Sequence, residues 1–156
     1  MAAELETGCG AIALALAAFE PRFARIYALD SSAEARRVAA ANGARYLLNL
    51  VVTWLPGDGL DAVPERVDLI VRGQCGTADS AAFVELIACA PAKLRAGGTL
   101  VCGLEPGQAE QAEMAARRAL PDAQVWADAR SDGVVLVAQV PRSALADAAR
   151  LLATPG

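Results

Sequence analysis

The stretch that decides the fold is Glu4-Leu5-Glu6-Thr7-Gly8-Cys9-Gly10, which runs directly into the alanine-rich segment 11–20. A second apolar run, 25–30, ends in Asp30, 20 residues after Gly10. In a strand–turn–helix unit, glycines let the backbone approach a ligand closely, and an acid that ends the second strand can accept hydrogen bonds from both ribose hydroxyls of an adenosine. The spacing therefore predicts a site for an adenosine-containing cofactor.

Short apolar runs alternate with longer helical segments along the whole chain, a pattern typical of a parallel sheet with crossover helices. The patterns predict strands at 2–6, 25–30, 48–55, 67–71, 99–104, 123–127 and 134–140, and helices at 9–20, 33–42, 80–94, 108–120 and 143–153. Asp132-Gly133 resembles a hairpin turn, so the last strand is predicted to be antiparallel. We expect an α/β fold with a mostly parallel seven-stranded sheet, in a single domain over residues 1–156.

Individual residues indicate where these helices begin, end or break. Ser31 or Ser32 is expected to cap the second helix, and Gly43 is expected to end it in a left-handed conformation. Pro91 is expected to kink or split the third helix, and Gly97-Gly98 is expected to separate that helix from the next strand.

Composition excludes several classes of site and partner. The formal net charge is −4 and the chain has no run of Lys or Arg, which disfavours duplex nucleic acid and membrane surfaces as partners. The chain has no histidine, which excludes a Ser-His-Asp triad, and its four cysteines show no Cys-x-x-Cys spacing, so no metal site is predicted. No apolar run reaches the roughly 18 residues of a membrane span, and no signal-peptide pattern is present. We therefore expect a cytoplasmic protein with free thiols.

Two adenosine cofactors compete for the first loop. Gly8-Cys9-Gly10 matches a dinucleotide fingerprint only in part, because Ala13 takes the place of the third glycine. Glu4 and Glu6 place carboxylates beside the loop, which disfavours a pyrophosphate and favours a cationic ligand. S-adenosylmethionine carries a sulfonium and an ammonium group and no phosphate, so it fits better. A nicotinamide-dependent oxidoreductase remains the weaker alternative.

Several motifs make a resemblance specific. The segment 4–16, Leu29-Asp30-Ser31-Ser32 and Gly57-Asp58 resemble the successive cofactor motifs of class I S-adenosylmethionine-dependent methyltransferases, which have a Rossmann-like fold. Within that superfamily the chain is similar to the N5-glutamine methyltransferases that modify peptide-chain release factors. The segments that carry this closer resemblance are 10–16, Asn42, 67–71, 94–98 and 105–107.

The resemblance implies a set of cofactor-binding residues. The candidates are Glu4, Thr7, Gly8, Gly10, Asp30, Ser31, Asp58, Gly59 and Arg72. By this resemblance, the first four would line the methionine and ribose parts of S-adenosylmethionine. Asp30 would bind the ribose hydroxyls, Asp58 would accept from the adenine amino group, and Gly59 would flank the base together with Leu60.

The chain departs from the family at the end of the fourth strand. Where the glutamine methyltransferases carry Asn-Pro-Pro-Tyr, this chain reads Arg72-Gly73-Gln74-Cys75-Gly76. The amide that orients the acceptor nitrogen is therefore missing, and positioning of that kind lowers the barrier to methyl transfer. Gln74 is one candidate substitute, and Arg72 is expected either to attract an anionic acceptor or to be solvated. Glu6 takes the place of a family glycine and is expected either to crowd the cofactor or to point outward.

These observations predict an S-adenosylmethionine-dependent methyltransferase, of the protein N5-glutamine type by resemblance, with an unidentified protein or small-molecule acceptor and with unknown catalytic residues. The alternative is a catalytically impaired methyltransferase-like module that binds or interacts without transferring a methyl group. Only Met1-Ala2-Ala3 precede the acidic turn, so the N-terminus is expected to be shortened. A homodimer is one arrangement that would cover the sheet surface exposed in this way.

Overall fold

Seven strands and four α-helices alternate along the described part of the chain, which the computed structural model gives as residues 1–73, 80–129 and 133–142. The strands are β1 Ala2–Leu5, β2 Ile26–Asp30, β3 Val52–Pro56, β4 Val67–Arg72, β5 Leu94–Leu104, β6 Gln124–Ala129 and β7 Val134–Gln139. The helices are α1 Ala11–Phe19, α2 Ala33–Arg45, α3 Ser80–Lys93 and α4 Ala109–Ala119. Short 3₁₀ helices at Leu60–Ala62 and Pro106–Gln108 precede β4 and α4.

The strands form a single sheet in the order β3-β2-β1-β4-β5-β7-β6. Strands β1 to β5 pair in parallel, whereas β7 is antiparallel to both β5 and β6. The predicted α/β, Rossmann-like fold, with its mostly parallel seven-stranded sheet and antiparallel last strand, is therefore confirmed. The strand order reverses between β1 and β4, and open α/β sheets bind ligands at the carboxyl ends of the strands at such a point.

Helices cover the two faces of the sheet and bury two apolar clusters. The apolar strand β2 contributes to both, because alternate residues of a strand point to opposite faces: Ile26 belongs to one cluster and Leu29 to the other. Helices α1 and α2 contact β1, β2 and β3 on the first face. Helices α3 and α4 bury Phe83 and Ala116 against the second face, in the larger cluster.

Gly43 does not end α2, contrary to the sequence prediction. It is a buried residue inside the helix. A Cβ atom at this position would lie 2.1 Å from Oδ1 of Asn49 and 3.0 Å from the ring of Trp54. The glycine is therefore needed for the close approach of the segment that follows the helix. The left-handed residue in that segment is Leu47, with φ of 59°.

The predicted bounds of β3 and α3 also need correction. Strand β3 begins at Val52 and not at residue 48, because the preceding residues turn and the amide of Val51 donates to the carbonyl of Leu48 at 2.9 Å. Helix α3 runs through Pro91 to Lys93, so the proline does not split it. The proline lies in the last turn, where few residues remain to be disturbed.

Gly97 and Gly98 lie inside β5, whereas the sequence predicts that they precede this strand. The pairing of β4 with β5 shifts register here, between Val67 and Leu69 of β4. Gly97 has φ of 79°, a conformation that an irregular strand residue adopts most easily as glycine. Because of this register shift, β5 continues through Gly97 and Gly98, where the sequence predicts that the strand has not yet begun.

Three predicted features lie outside the described residues: the loop residues Gln74-Cys75-Gly76, Asp132 of the hairpin turn, and the helix 143–153. Within the ranges that are described, no helix combines the length and apolarity that a membrane crossing requires.

Candidate functional site

The β1 loop, defined here as Glu6–Gly10, occupies the switch point of the sheet. Three of its residues are left-handed: Glu6 with φ of 55°, Gly8 with φ of 55° and Gly10 with φ of 85°. The amide of Thr7 donates to the carbonyl of Leu29 at 2.9 Å, and the amide of Gly10 donates to the carbonyl of Thr7 at 2.8 Å. These bonds fold the chain tightly between β1 and α1, with Thr7 and Gly10 buried and Cys9 exposed.

Glu4 holds the β1 loop and the start of α1 together through two hydrogen bonds. Its side chain is buried, and its Oε2 accepts from the hydroxyl of Thr7 at 2.5 Å and from the amide of Ala13 at 2.9 Å. Because the N-cap residue Gly10 has no side chain, the Glu4 carboxyl satisfies an amide in the first turn of α1 that a capping side chain would otherwise reach. Burial raises the pKa of Glu4 to about 7, against an ordinary value of 4.5.

Asp30 joins the β1 loop to the start of α2. Its Oδ2 accepts from the amide of Gly8 at 2.9 Å, and its Oδ1 accepts from the amide of Ser32 at 2.9 Å. Each carboxylate oxygen has a further lone pair for a ligand. The exposed Ser31 follows Asp30, while the cap of α2 is Ser32, whose Oγ accepts from the amide of Ala35 at 3.2 Å.

Asp58 and Gly59 lie at the other side of the site, on the rim of a cleft of about 400 Å³. Both are exposed and follow β3, whose end is tied to β2 by the amide of Gly57 donating to the carbonyl of Asp30 at 3.2 Å. Among the described residues, those that line the cleft are Leu5, Glu6, Asp58, Gly59, Leu60, Asp61, Arg72, Ala82, Glu85, Leu86 and Cys89. Four of these residues are acidic and one is basic, which favours a cationic ligand.

Arg72 ends β4 and forms an ion pair with the β1 loop. Its Nη2 lies 2.9 Å from Oε1 and 2.8 Å from Oε2 of Glu6. The Arg72 side chain is 4% exposed and that of Glu6 is 32% exposed. The expectation that Arg72 is solvated is therefore wrong. The expectation that Glu6 points outward is also wrong. Its backbone is left-handed, and its carboxylate contacts the guanidinium of Arg72 at the end of the neighbouring strand.

The structure brings the nine predicted residues together in two groups. Glu4, Thr7, Gly8, Gly10, Asp30 and Ser31 belong to the β1 loop and its supports, whereas Asp58, Gly59 and Arg72 line the cleft. Both groups lie at the carboxyl ends of β1 to β4, where the topology predicts a ligand site.

Sequence reasoning did not place Asn42 and Trp54 in the site. The Nδ2 of Asn42 donates to the carbonyl of Cys9 at 2.9 Å and holds the β1 loop against α2. The ring of Trp54 lies close to Gly10, where a Cβ atom would come within 3.0 Å of it. Asn42 is one of the residues that carry the closer resemblance, which was a signal for it, whereas a tryptophan in β3 has no motif of its own. The packing of α2 on β3 brings both residues to the loop.

The cysteines and acids of the described ranges provide no metal centre. Cys9 and Cys89 are free and exposed, and Cys102 is free and buried. Burial raises the pKa of the Cys102 thiol to about 12, which makes it a packing residue. Among the residues that the structure describes, no three His, Cys, Asp or Glu side chains are grouped so that they could hold a metal ion.

Comparison with known proteins gives one family match. The family model described as methyltransferase small domain matches residues 1–125. A release factor glutamine methyltransferase of Xylella fastidiosa strain 9a5c is 49% identical over 70 residues, which are 44% of this chain and 25% of that protein. The chain thus matches about a quarter of the length of this curated relative.

Solved structures share the fold at low sequence identity. A methyltransferase from Pyrococcus furiosus superposes with a TM-score of 0.76 at 18% identity, covering 90% of this chain and 75% of that one. A ribosomal protein L11 methylase from Lactobacillus delbrueckii subsp. bulgaricus also gives a TM-score of 0.76, at 21% identity over 90% of this chain and 70% of that one.

Proposed function

Because this chain belongs to the methyltransferase small domain family, we propose that it binds S-adenosylmethionine and transfers the methyl group to an acceptor. The observation that carries the proposal is the contact of Asp30 with the amide of Gly8 at the switch point of the sheet. This contact holds a carboxylate beside a glycine loop, as the adenosine part of the cofactor requires. The family match favours this interpretation over the nicotinamide alternative.

The residues present fit the proposed cofactor. A Cβ atom on Gly8 would have no heavy atom of the described chain within 4 Å beyond its immediate neighbours, so the surface above this glycine is open to a ligand. Asp30 would accept from the ribose hydroxyls, Asp58 from the adenine amino group, and Gly59 and the buried Leu60 would border the base. The rest of the proposed cofactor site would be formed by Glu4, Thr7, Gly10 and Ser31. When bound, S-adenosylmethionine supplies an electrophilic methyl group on a sulfonium.

Arg72 would bind the amino-acid end of the cofactor. Its Nη2 contacts Glu6, and a guanidinium carries several N–H donors in a fork that suits a carboxylate. Both residues line the cleft. The acidic lining would attract the positive charges of the ligand, while Arg72 would receive its single carboxylate.

The chain's own groups point to catalysis by positioning. The sequence contains no histidine that could act as a general base. An amide or other weakly acidic acceptor held in line with the methyl group requires orientation and exclusion of water above all. The identity shared with a release factor glutamine methyltransferase makes a protein glutamine amide the first acceptor to test.

A methyl-transfer assay tests this function. Purified release factors and a cell extract are incubated with the chain and radiolabelled S-adenosylmethionine. We expect label in protein, and loss of that label with the Asp30→Asn variant. Label in a small-molecule fraction would support the enzyme and reject the protein acceptor.

A second candidate function is a module that binds the cofactor without transferring its methyl group. The specific observation in its favour is the ion-paired Arg72 at the end of β4, where the glutamine methyltransferases carry the asparagine that orients the acceptor. Cofactor binding without transfer to any fraction of the extract would support this second function.

A further inference from the structure

The two residues at which the chain departs from the family pattern contact each other in the wall of the cleft. Glu6 takes the place of a family glycine, and Arg72 stands where the family motif begins. The Nη2 of Arg72 lies 2.8 Å from Oε2 of Glu6, and both residues line the cleft. A negative group and a positive group are therefore held side by side at the proposed cofactor site.

Backbone structure fixes the position of this ion pair. In the register of β1 with β4, Leu5 pairs with Arg72, so Glu6 directly follows the strand partner of the arginine. Glu6 has φ of 55°, a conformation that residues other than glycine adopt rarely. Such conformations persist where the surrounding structure determines them, and they are frequent at ligand sites. The pair is thus a built feature of the cleft wall, and its carboxylate is accessible because the Glu6 side chain is 32% exposed.

The chemistry of the pair defines which ligand group it suits. An ionised carboxylate only accepts hydrogen bonds, with about four lone-pair sites, whereas a guanidinium only donates, through five N–H groups. A ligand that contacts both must therefore donate to Glu6 and accept from Arg72. An ammonium and a carboxylate bonded to one carbon atom satisfy this requirement, and their opposite charges complement those of the pair. The amino-acid end of S-adenosylmethionine has this composition.

The order of the strands places the pair at the correct end of the proposed cofactor site. Asp58 follows β3, Asp30 ends β2, Glu6 follows β1 and Arg72 ends β4, and these strands are adjacent in the order β3-β2-β1-β4. The proposed function assigns Asp58 to the adenine and Asp30 to the ribose. The next positions in the same direction along the sheet edge belong to the ion pair, as the amino-acid end of the ligand requires.

We propose that Glu6 and Arg72 act together as an amino-acid clamp, in which Glu6 accepts from the ammonium of S-adenosylmethionine and Arg72 donates to its carboxylate. This inference rests on the proposed function and adds Glu6 to it as a specificity-determining residue. Asp61 and Glu85 also line the cleft. Glu6 is favoured over them as the ammonium partner because it contacts Arg72, and the two ligand groups are bonded to the same carbon.

A series of four ligands tests the clamp in the parent protein by calorimetric titration. The series consists of S-adenosylhomocysteine, its deaminated analogue, its decarboxylated analogue, and methylthioadenosine, which lacks both charged groups. Hydrogen bonds to charged groups make a difference of about ten- to a hundredfold in affinity, so we expect S-adenosylhomocysteine to bind more tightly than either single-group analogue by this factor. Methylthioadenosine should bind most weakly of the four.

Two variants assign the groups to the residues. Glu6→Gln is expected to weaken the binding of S-adenosylhomocysteine and of the decarboxylated analogue, which carry the ammonium, and not to weaken the other two ligands. Arg72→Met is expected to weaken S-adenosylhomocysteine and the deaminated analogue, which carry the carboxylate, and not the other two. The matched control Asp30→Asn acts on the shared adenosine part and should weaken all four ligands alike.

Binding of methylthioadenosine as tight as that of S-adenosylhomocysteine would overturn the clamp while leaving the adenosine site intact. Weakening of all four ligands alike by Glu6→Gln would also overturn it, since the pair would then only support the loop. If the folded parent bound none of the four, the proposed function would fail, and the clamp with it. The parent series needs no variant, so it remains decisive even if Glu6→Gln fails to fold.

Discussion

Asp30 is the residue through which the β1 loop, β2 and α2 meet. An Asp30→Asn change would remove the negative charge and replace one acceptor oxygen by a donor facing the amide of Gly8 or Ser32. Hydrogen bonds to charged groups are worth about 1.5–3 kcal/mol, so we expect S-adenosylhomocysteine to bind roughly ten- to a hundredfold more weakly. Isothermal titration measures this change. The exposed Asp122→Asn variant is the control, and equal affinity in both variants would contradict the role of Asp30.

Glu4 gives the protein a pH-dependent stability. Because burial raises its pKa to about 7 from 4.5, the folded state keeps a proton that the unfolded chain releases between these values. The contribution of Glu4 to the free energy of unfolding should therefore fall as the pH rises from about 4.5 to about 7, by about 3 kcal/mol.

Glu4→Gln removes this titration while preserving the contacts, because both hydrogen bonds reach the single atom Oε2 and an amide oxygen can accept them. Urea unfolding at several pH values should show a flatter profile for this variant than for the parent. A Glu110→Gln variant at an exposed position should retain the parent profile. Parallel profiles for Glu4→Gln and the parent would show that Glu4 does not titrate in this range.

The sequence predicts the place of some residues in the site better than that of others. Asp30 and Gly8 follow from strand–turn–helix spacing, since the ends of adjacent parallel strands meet at one edge of a sheet. The Arg72–Glu6 pair does not follow from spacing, because it depends on the register that aligns β1 with β4 and on the left-handed backbone of Glu6. Burial of an arginine also has no local sequence signal.

At the scale of elements, the two glycines of the β1 loop should respond differently to alanine. Both are left-handed, so each change costs about 1–2 kcal/mol in backbone conformation. Gly10→Ala adds overlap with the Ala39 Cβ at 3.1 Å and the Trp54 ring at 3.0 Å, for which about 1–3 kcal/mol more is expected. Gly8→Ala points into open space, where we place the cofactor.

We therefore expect Gly10→Ala to have the lower free energy of unfolding in urea, and Gly8→Ala to lose more cofactor affinity than its stability loss would suggest. If Gly8→Ala bound S-adenosylhomocysteine as tightly as the parent, the cofactor could not lie over this glycine.

The two partners of the ion pair between the β1 loop and β4 should differ in how much stability is lost when each is replaced. Glu6→Gln leaves the 4% exposed Arg72 without its counter-charge, and an uncompensated buried charge costs about 3 kcal/mol. Arg72→Met leaves only Glu6, whose side chain is 32% exposed and can be hydrated, so a cost of about 1 kcal/mol is expected. Urea unfolding of the two variants and of the double variant measures both costs and their coupling. A larger cost for Arg72→Met would contradict this account of the pair.

The bounds of helices and strands were predictable where a local turn or cap residue ends the element. They were not predictable where tertiary packing determines how far the element extends. The turn glycine at Gly57 and the cap at Ser32 act locally, and the C-terminal end of β3 and the start of α2 agree with them. Gly43 looks like a helix end in sequence, yet its small size is used for contact with Asn49. Gly97 has the same local signature but continues β5 through a register shift.

At the scale of the whole molecule, the alternation of strands and helices was sufficient to predict a mostly parallel sheet, and the hairpin signal Asp132-Gly133 predicted its antiparallel last strand. The strand order β3-β2-β1-β4-β5-β7-β6 was not predicted, because a handedness rule for crossovers leaves several orders open. This order places the carboxyl ends of β1 to β4 around one acidic cleft, in which Glu6, Asp58, Asp61 and Glu85 outnumber Arg72. The acceptor was not predictable to the same degree, since the loop after β4 departs from the family motif.

The central claim is that the β1 loop and Asp30 form a binding site for S-adenosylmethionine. Calorimetric titration of the folded chain with S-adenosylhomocysteine tests it most directly. We predict saturable one-to-one binding that weakens in the Asp30→Asn variant and persists in Asp122→Asn. Absence of heat and of thermal stabilisation at ligand concentrations of about 1 mM, with a chain shown to be folded by circular dichroism, would contradict the claim.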